Sequence, residues 1–451
     1  MRKNPRLLIL LSTLLLILAL GAGVWLLLAD PNAQRQRLAD GTILKLEGVT
    51  YGRQHALSVG APWQKLLSPV LPARFQPRLV PGRTFGEDRI VCWFSESPSY
   101  NERARRPGFD WMAYHMSQPA PWPELLDDHG SRMGRAEPGV ELSGPAPFQT
   151  IALTSYPRRG RSIRLRYYNP QGRTPVAEFV IPNPDPGPHP VWNAEPLPAT
   201  RSSGALKFTL QELRRDLKRR RLGPEFASFR VSQNGRPTWD WEPVELTLAD
   251  ATGNSLVTLG SRSERNGETL VLRWYGALPS GEAAWKLRVT FFPTPRAPAP
   301  PGATWTLQGI PAPKKDGVTV LQKAAVIQGV RLTIIGLARA GKPWWPGEPK
   351  PKGGDSATPE VRVIATGRRK DQRVTLLASD EQGRTFAGYD SHGWADPKQQ
   401  QFRYYLNLPP DSRKLTLRFV VSTGRTVEFL AKPPDASAPG STPASDSAPG
   451  G

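Results

Sequence analysis

The chain of 451 residues predicts an all-β fold in which one N-terminal transmembrane helix precedes three tandem antiparallel β-sandwich modules. Three features predict it. A pattern of apolar pairs, turn glycines and basic residues recurs at constant offset, an apolar alternation of period two runs inside each copy, and one uninterrupted apolar run lies near the N-terminus.

The repeat is clearest in Val374 to Phe429, of which Val374 to Phe419 aligns without a gap on Val244 to Val289. Asp250 and Gly253 fall on Asp380 and Gly383, Arg273 and Tyr275 on Arg403 and Tyr405, and Leu278-Pro279 on Leu408-Pro409. A third copy places Tyr156-Pro157, Ile163 and Leu165-Arg166 on Leu408-Pro409, Leu415 and Leu417-Arg418. Leu415, Leu417 and Phe419 alternate with Thr416, Arg418 and Val420, as a strand with one buried face requires. Ser422-Thr423-Gly424-Arg425 reads as a turn, so Leu415 to Leu430 is expected to form a hairpin. Asp250 to Asn254 and Ser379 to Gly383 are turn-rich, and turns at this spacing favour a sandwich.

Taken in order, residues 1–6 form a short tail carrying Arg2, Lys3 and Arg6. Residues 7–29 are apolar except for Ser12 and Thr13, long enough to cross a bilayer as a signal-anchor helix. Ala19-Leu20-Gly21 offers a cleavage site, with a cleaved signal peptide as the alternative, but the apolar run continues past it through Val24-Trp25-Leu26-Leu27-Leu28, which favours an uncleaved anchor. The short leading tail places the N-terminus in the cytoplasm and the bulk of the chain outside it.

The first module is expected over 38–181, with 95–144 as a long loop insertion, since that part is rich in Pro, Gly and Arg and lacks a period. A Pro-rich linker follows over 182–203. The second module spans 204–311, with Trp305-Thr306-Leu307 as its last strand, and the third spans 316–431. Residues 432–451 are expected to be a disordered tail, since from Pro434 on they are only small, polar, acidic or proline residues and cannot form a core. The single Cys92 lies in Ile90-Val91-Cys92-Trp93-Phe94, the pattern of a buried strand rather than of a nucleophile.

The net charge is +21, which draws the surface toward anions. The densest basic run, Arg214, Arg215, Lys218, Arg219, Arg220 and Arg221, is the candidate anion-binding patch. It contains no aromatic residue to stack on bases, so nucleic acid is not the expected partner. Trp344 and Trp345, between Pro343 and Pro346, are the candidate aromatic platform for a sugar ring or a peptide. Trp239 and Trp241 alternate on one strand face and are expected to pack inward.

The five histidines occur singly, and neither a zinc spacing, a Gly-x-Ser-x-Gly elbow nor a phosphate-cradling loop is present. Asp127-Asp128-His129 is the closest grouping of carboxylate and imidazole. No cofactor or metal is implied.

The strand pattern resembles that of immunoglobulin-like and fibronectin-like sandwiches, which implies the fold alone. The expected function is therefore non-catalytic: a membrane-anchored multi-module protein that binds or scaffolds a cell-envelope partner, another protein or an anionic envelope polymer. Two alternatives stand beside it. One is a glycan or cell-wall binder using Trp344, Trp345 and nearby arginines, and the other is an envelope hydrolase with its site in 95–144.

Overall fold

A computed structural model of the chain describes residues 34–38, 43–60, 69–97, 122–128, 148–153, 155–168, 175–215, 225–258, 262–266, 268–274, 278–295, 297–313, 318–339, 359–387, 389–396, 399–409 and 411–434, with Gln64 and Leu67. The chain is all-β, with strands gathered into several sheets. The expected membrane helix, 7–29, lies outside the described residues, as does the tail beyond residue 434. No helix among the described residues is long and apolar enough to cross a membrane.

The first module holds β1 (Gln34–Arg37), β2 (Ile43–Val59), β3 (Arg78–Ser97), β4 (Trp122–Asp127), β5 (Phe148–Leu153), β6 (Ser162–Tyr168) and β7 (Pro175–Pro182). They form two sheets, β1-β2-β3-β5 and β4-β6-β7. Between the sheets, Leu46, Ile90, Cys92 and Phe94 meet Leu125, Leu165, Phe179 and Ile181. The strand β4 corrects the expectation of loops throughout 95–144. Its flanking prolines hid it, yet Pro123 is tolerated because β4 is an edge strand.

The second module holds β8 (Ala199–Ser203), β9 (Leu206–Arg215), β10 (Glu225–Gln233), β11 (Arg236–Pro237), β12 (Trp241–Asp250), β13 (Ser255–Thr258), β14 (Arg262–Asn266), β15 (Thr269–Trp274) and β16 (Trp285–Pro293). Strand β8 lies inside the stretch expected as linker. The prolines stop at Pro198, and the five residues that follow pair with β9 across a turn at Gly204, whose φ is 61°.

The remaining strands are β17 (Thr304–Pro311), β18 (Val318–Ile327), β19 (Val330–Arg339), β20 (Pro359–Thr366), β21 (Gln372–Asp380), β22 (Thr385–Ala387), β23 (Tyr389–Asp396), β24 (Gln399–Tyr405), β25 (Lys414–Thr423) and β26 (Arg425–Ala431). The repeat is visible in the sheets. The order β8-β9-β10-β15-β14 of the second module matches β18-β19-β20-β24-β23 of the third.

The facing sheets differ from expectation. They run β13-β12-β16-β26 and β17-β25-β21-β22, so the last strand of each module completes the sheet of the other. The expected hairpin of Leu415 to Leu430 is not formed: β25 pairs with β21 and β17, whereas β26 pairs with β16. Val427, Phe429 and Ala431 consequently lie in the core with Leu287 and Val289. Leu307 and Ile310 of β17 join Leu417 and Phe419. In the first module the corresponding hairpin, β6 to β7, closes on itself.

The connections explain the exchange. β16 ends at Pro293, and Pro295, Pro298, Pro300 and Pro301 follow, which lack amide donors and so offer no ladder to a neighbouring strand; the chain turns at Ala297 N to Thr294 O (3.0 Å) and at Ala303 N to Pro300 O (3.1 Å) before β17 begins. Thr294 N donates to Asp240 O at 2.7 Å, and Val421 N to Ala303 O at 2.9 Å, guiding this segment across to β25. Between β25 and β26 only Gly424 intervenes. A Cβ there would lie 2.9 Å from both Phe292 Cζ and Thr290 Cγ2, so glycine allows the close crossing rather than a turn. Burial of Val427 and Phe429 in the other module supplies roughly 3–6 kcal/mol of transfer free energy.

Candidate functional site

Each module places an aspartate at the end of the same strand. Asp127 lies opposite Ile163, Asp250 opposite Trp285, and Asp380 opposite Leu415. In the second module Asp250 Oδ1 accepts from the amides of Thr252 (2.9 Å) and Asn254 (3.0 Å), which shapes the turn. In the third, Asp380 Oδ1 accepts from the amides of Gln382 (3.0 Å) and Arg384 (2.9 Å). Burial raises the Asp380 pKa, but the Arg384 side chain and amide and Ser412 Oγ more than offset it, leaving the carboxyl below its ordinary value.

The second-module turn is the joint with the first module. Asn254, 1% exposed, accepts from Tyr156 N (3.2 Å) and Arg158 Nε (3.2 Å) and donates to Tyr156 O (2.9 Å). Arg159 forms a two-pronged pair with Glu282, both contacts at 2.8 Å, and also donates to His189 O and Pro190 O. The Glu282 side chain is 4% exposed and that of Arg159 30%, so the carboxylate is buried while the guanidinium keeps some contact with water. Asn183 Nδ2 holds the same loop through Pro157 O, Arg158 O and Gly160 O. Glu195 in the linker caps the free edge of β26, its N donating to Leu430 O at 2.8 Å and its Oε1 accepting from Leu430 N at 3.0 Å.

On the outer face of the first module, β2 and β3 bend near Gly52 (φ 114°) and fold back. Leu57 and Val80 then cover Val91, Trp93 and Ala152 in a second small core. There is no room for a Cβ at Gly82, which would lie 2.5 Å from His55 O and 2.8 Å from the Trp93 ring. Trp93 Nε1 donates to Thr50 Oγ1 (3.0 Å), which lies 2.8 Å from His55 Nδ1. Desolvation, aided by Arg89 and opposed by a backbone bond to Gly52, lowers the His55 pKa.

Where β7 approaches β2, an open cleft of about 220 Å³ is lined by Leu46, Val49, Thr50, Tyr51, Ile90, Val180, Pro182 and Pro184. Apart from Thr50 and Tyr51 that lining is apolar, so the cleft suits an aliphatic side chain rather than acid-base chemistry.

Of the residues singled out in the sequence, only some fall among the described residues. Arg214 and Arg215 end β9, opposite Phe226 and Glu225; Arg214 pairs with Glu212 at 2.8 Å. Lys218, Arg219, Arg220, Arg221, Trp344 and Trp345 lie outside the described residues. Asp128 accepts from Arg161 N at 2.9 Å and His129 is outside the described residues. Among the described residues no three His, Cys, Asp or Glu side chains gather as a metal site. Cys92 is fully buried and its pKa is pushed up to about 12, which makes it inert. Trp239 and Trp241 pack against the second-module core as expected.

Arg159 and Glu282 carry no local signal because their partners are remote in sequence; the turn from Asp250 to Asn254 alone marks one side of the joint. Compared with known proteins, the chain matches no family model, no curated protein and no solved structure.

Proposed function

We propose that this chain is a membrane-anchored, non-catalytic scaffold. It presents three coupled β-sandwich modules outside the cytoplasm to a protein or an anionic polymer of the cell envelope. The observation that carries the reading is the interlock: β17 and β26 exchange between the second and third modules, and Arg159, Asn254 and Glu282 tie the first module to the second. Modules held at fixed separation present their loops with little ordering left to occur on binding, which is how a scaffold gains affinity.

The balance of +21 favours an anionic partner surface. Residues 7–29 supply the anchor. Crosslinking on native membranes, paired with protease accessibility, tests this reading. It expects a recurring envelope partner and digestion of the modules only from the extracytoplasmic side. Modules shielded from outside protease, or a crosslinking pattern with no recurring partner, would overturn it.

A further inference from the structure

The segment joining β2 to β3 and the first turn-proximal residues of β3 project apolar side chains into solvent. Leu67, Val70, Phe75 and Leu79 are 43%, 78%, 45% and 67% exposed. A scattered exposed leucine needs no explanation, but three large apolar side chains on one connection with a fourth, Leu79, at the start of β3 do. Arg74 and Arg78 are exposed among them, with the Arg74 guanidinium 4.8 Å from the Phe75 ring centre. From Gly48 to Gly86 the sequence contains no aspartate or glutamate.

Among the described residues of this tip, several backbone groups are already paired within the tip. Val70 N and Leu71 N donate to Leu67 O, Phe75 N to Pro72 O and Gln76 N to Ala73 O. Gln64 Nε2 donates to Phe75 O and Gln76 Nε2 to Leu71 O. Pro69, Pro72, Pro77 and Pro81 have no amide hydrogen to satisfy. Toward the acyl boundary unsatisfied backbone groups cost free energy, and the pairs named lower that cost for the described residues of the tip. A protein partner would not require this internal satisfaction, since it brings donors and acceptors of its own.

From these features we infer that the tip formed by Leu67, Val70, Phe75 and Leu79 dips into the interface of an anionic lipid bilayer, with Arg74 and Arg78 on the headgroup phosphates. The apolar side chains enter the acyl boundary while the arginines keep their charge at the headgroups. This rests on the anchored reading, because the tip gains its bilayer contact as a second attachment beside residues 7–29. Headgroup attraction of two arginines is modest alone and effective when a first attachment holds the chain near the surface.

The test places an environment-sensitive fluorophore at Val70→Cys in the full chain, in nanodiscs of phosphatidylcholine alone or with phosphatidylglycerol. The native Cys92 is buried and does not compete for label. A matching label at Val326→Cys, 70% exposed on the third module, reports the aqueous baseline. With phosphatidylglycerol, the label at position 70 is expected to shift to the blue and to be quenched at least about twofold by brominated acyl chains. Leu79→Glu should reverse both changes.

A label that stays aqueous on both compositions overturns the inference, even if the tip is later caught by a protein. An equal shift on both compositions, or a shift produced by inorganic phosphate alone, also overturns it. Co-elution with the nanodisc reports the anchor separately. A chain that elutes apart contradicts the anchored reading, and added phosphatidylglycerol vesicles then decide the tip by the same signal.

Discussion

Leu287 of β16 lies opposite Phe429 of β26, the place that Leu165 takes opposite Phe179 within the first module. The geometry of the strand pair is kept, but its two strands now come from different repeats. The second and third modules therefore share one folding unit, because neither sheet is complete until the other module's strand arrives.

Phe429→Ala should act on the second module. The side chain is 1% exposed among Phe229, Leu287 and Val289, so the cavity is expected to cost about 3–5 kcal/mol in denaturant unfolding. Amide exchange should quicken first in β12 and β16. Early loss of protection confined to β21 would contradict the strand assignment.

Replacing Arg159 with Met leaves the buried Glu282 carboxylate without its partner. Breaking a buried pair usually costs about 3–5 kcal/mol, and because the Arg159 side chain is 30% exposed a loss of about 2 kcal/mol is expected. Adding Glu282→Leu should recover most of it, since a satisfied apolar contact replaces the stranded charge. An additive double variant would show that the two side chains do not act as a pair.

His55 gives the first module a pH dependence with a definite sign. Its pKa is lowered in the folded chain, so the unfolded state binds more protons once pH falls through its ordinary value of about 6.5. Its contribution to stability is present above that value and declines as pH falls toward the folded one. Urea unfolding between about pH 7 and pH 5 should show a steeper loss for the native chain than for His55→Gln. Equal slopes would place His55 outside the titrating set.

Much of the architecture was legible because alternation reports burial. Leu415, Leu417 and Phe419 are inward as their period required, and Trp239 and Trp241 pack on the core. Alternation fixes which face a side chain takes, but not which strand lies beside it. Leu287 would receive Leu307 or Phe429 with similar chemistry, so the exchange of β17 and β26 left no local trace. The joint was hidden for a related reason: among so many arginines, nothing in sequence sets Arg159 apart until Glu282 is beside it. Leu57 and Leu79 likewise look alike in a pattern, although one is 3% and the other 67% exposed. The backbone bend that buries the first is long-range.

The interlock is tested most directly at Thr290 and Thr426, whose hydroxyl oxygens lie 3.0 Å apart on the outer face of the β16–β26 pair. Paired cysteines at cross-strand neighbours this close fit disulfide geometry, and the only native cysteine is buried. Oxidation of the Thr290→Cys, Thr426→Cys double variant should link the two positions within one chain, read by non-reducing peptide mapping. Free thiols at both positions, or a link formed only between two chains, would contradict the exchange.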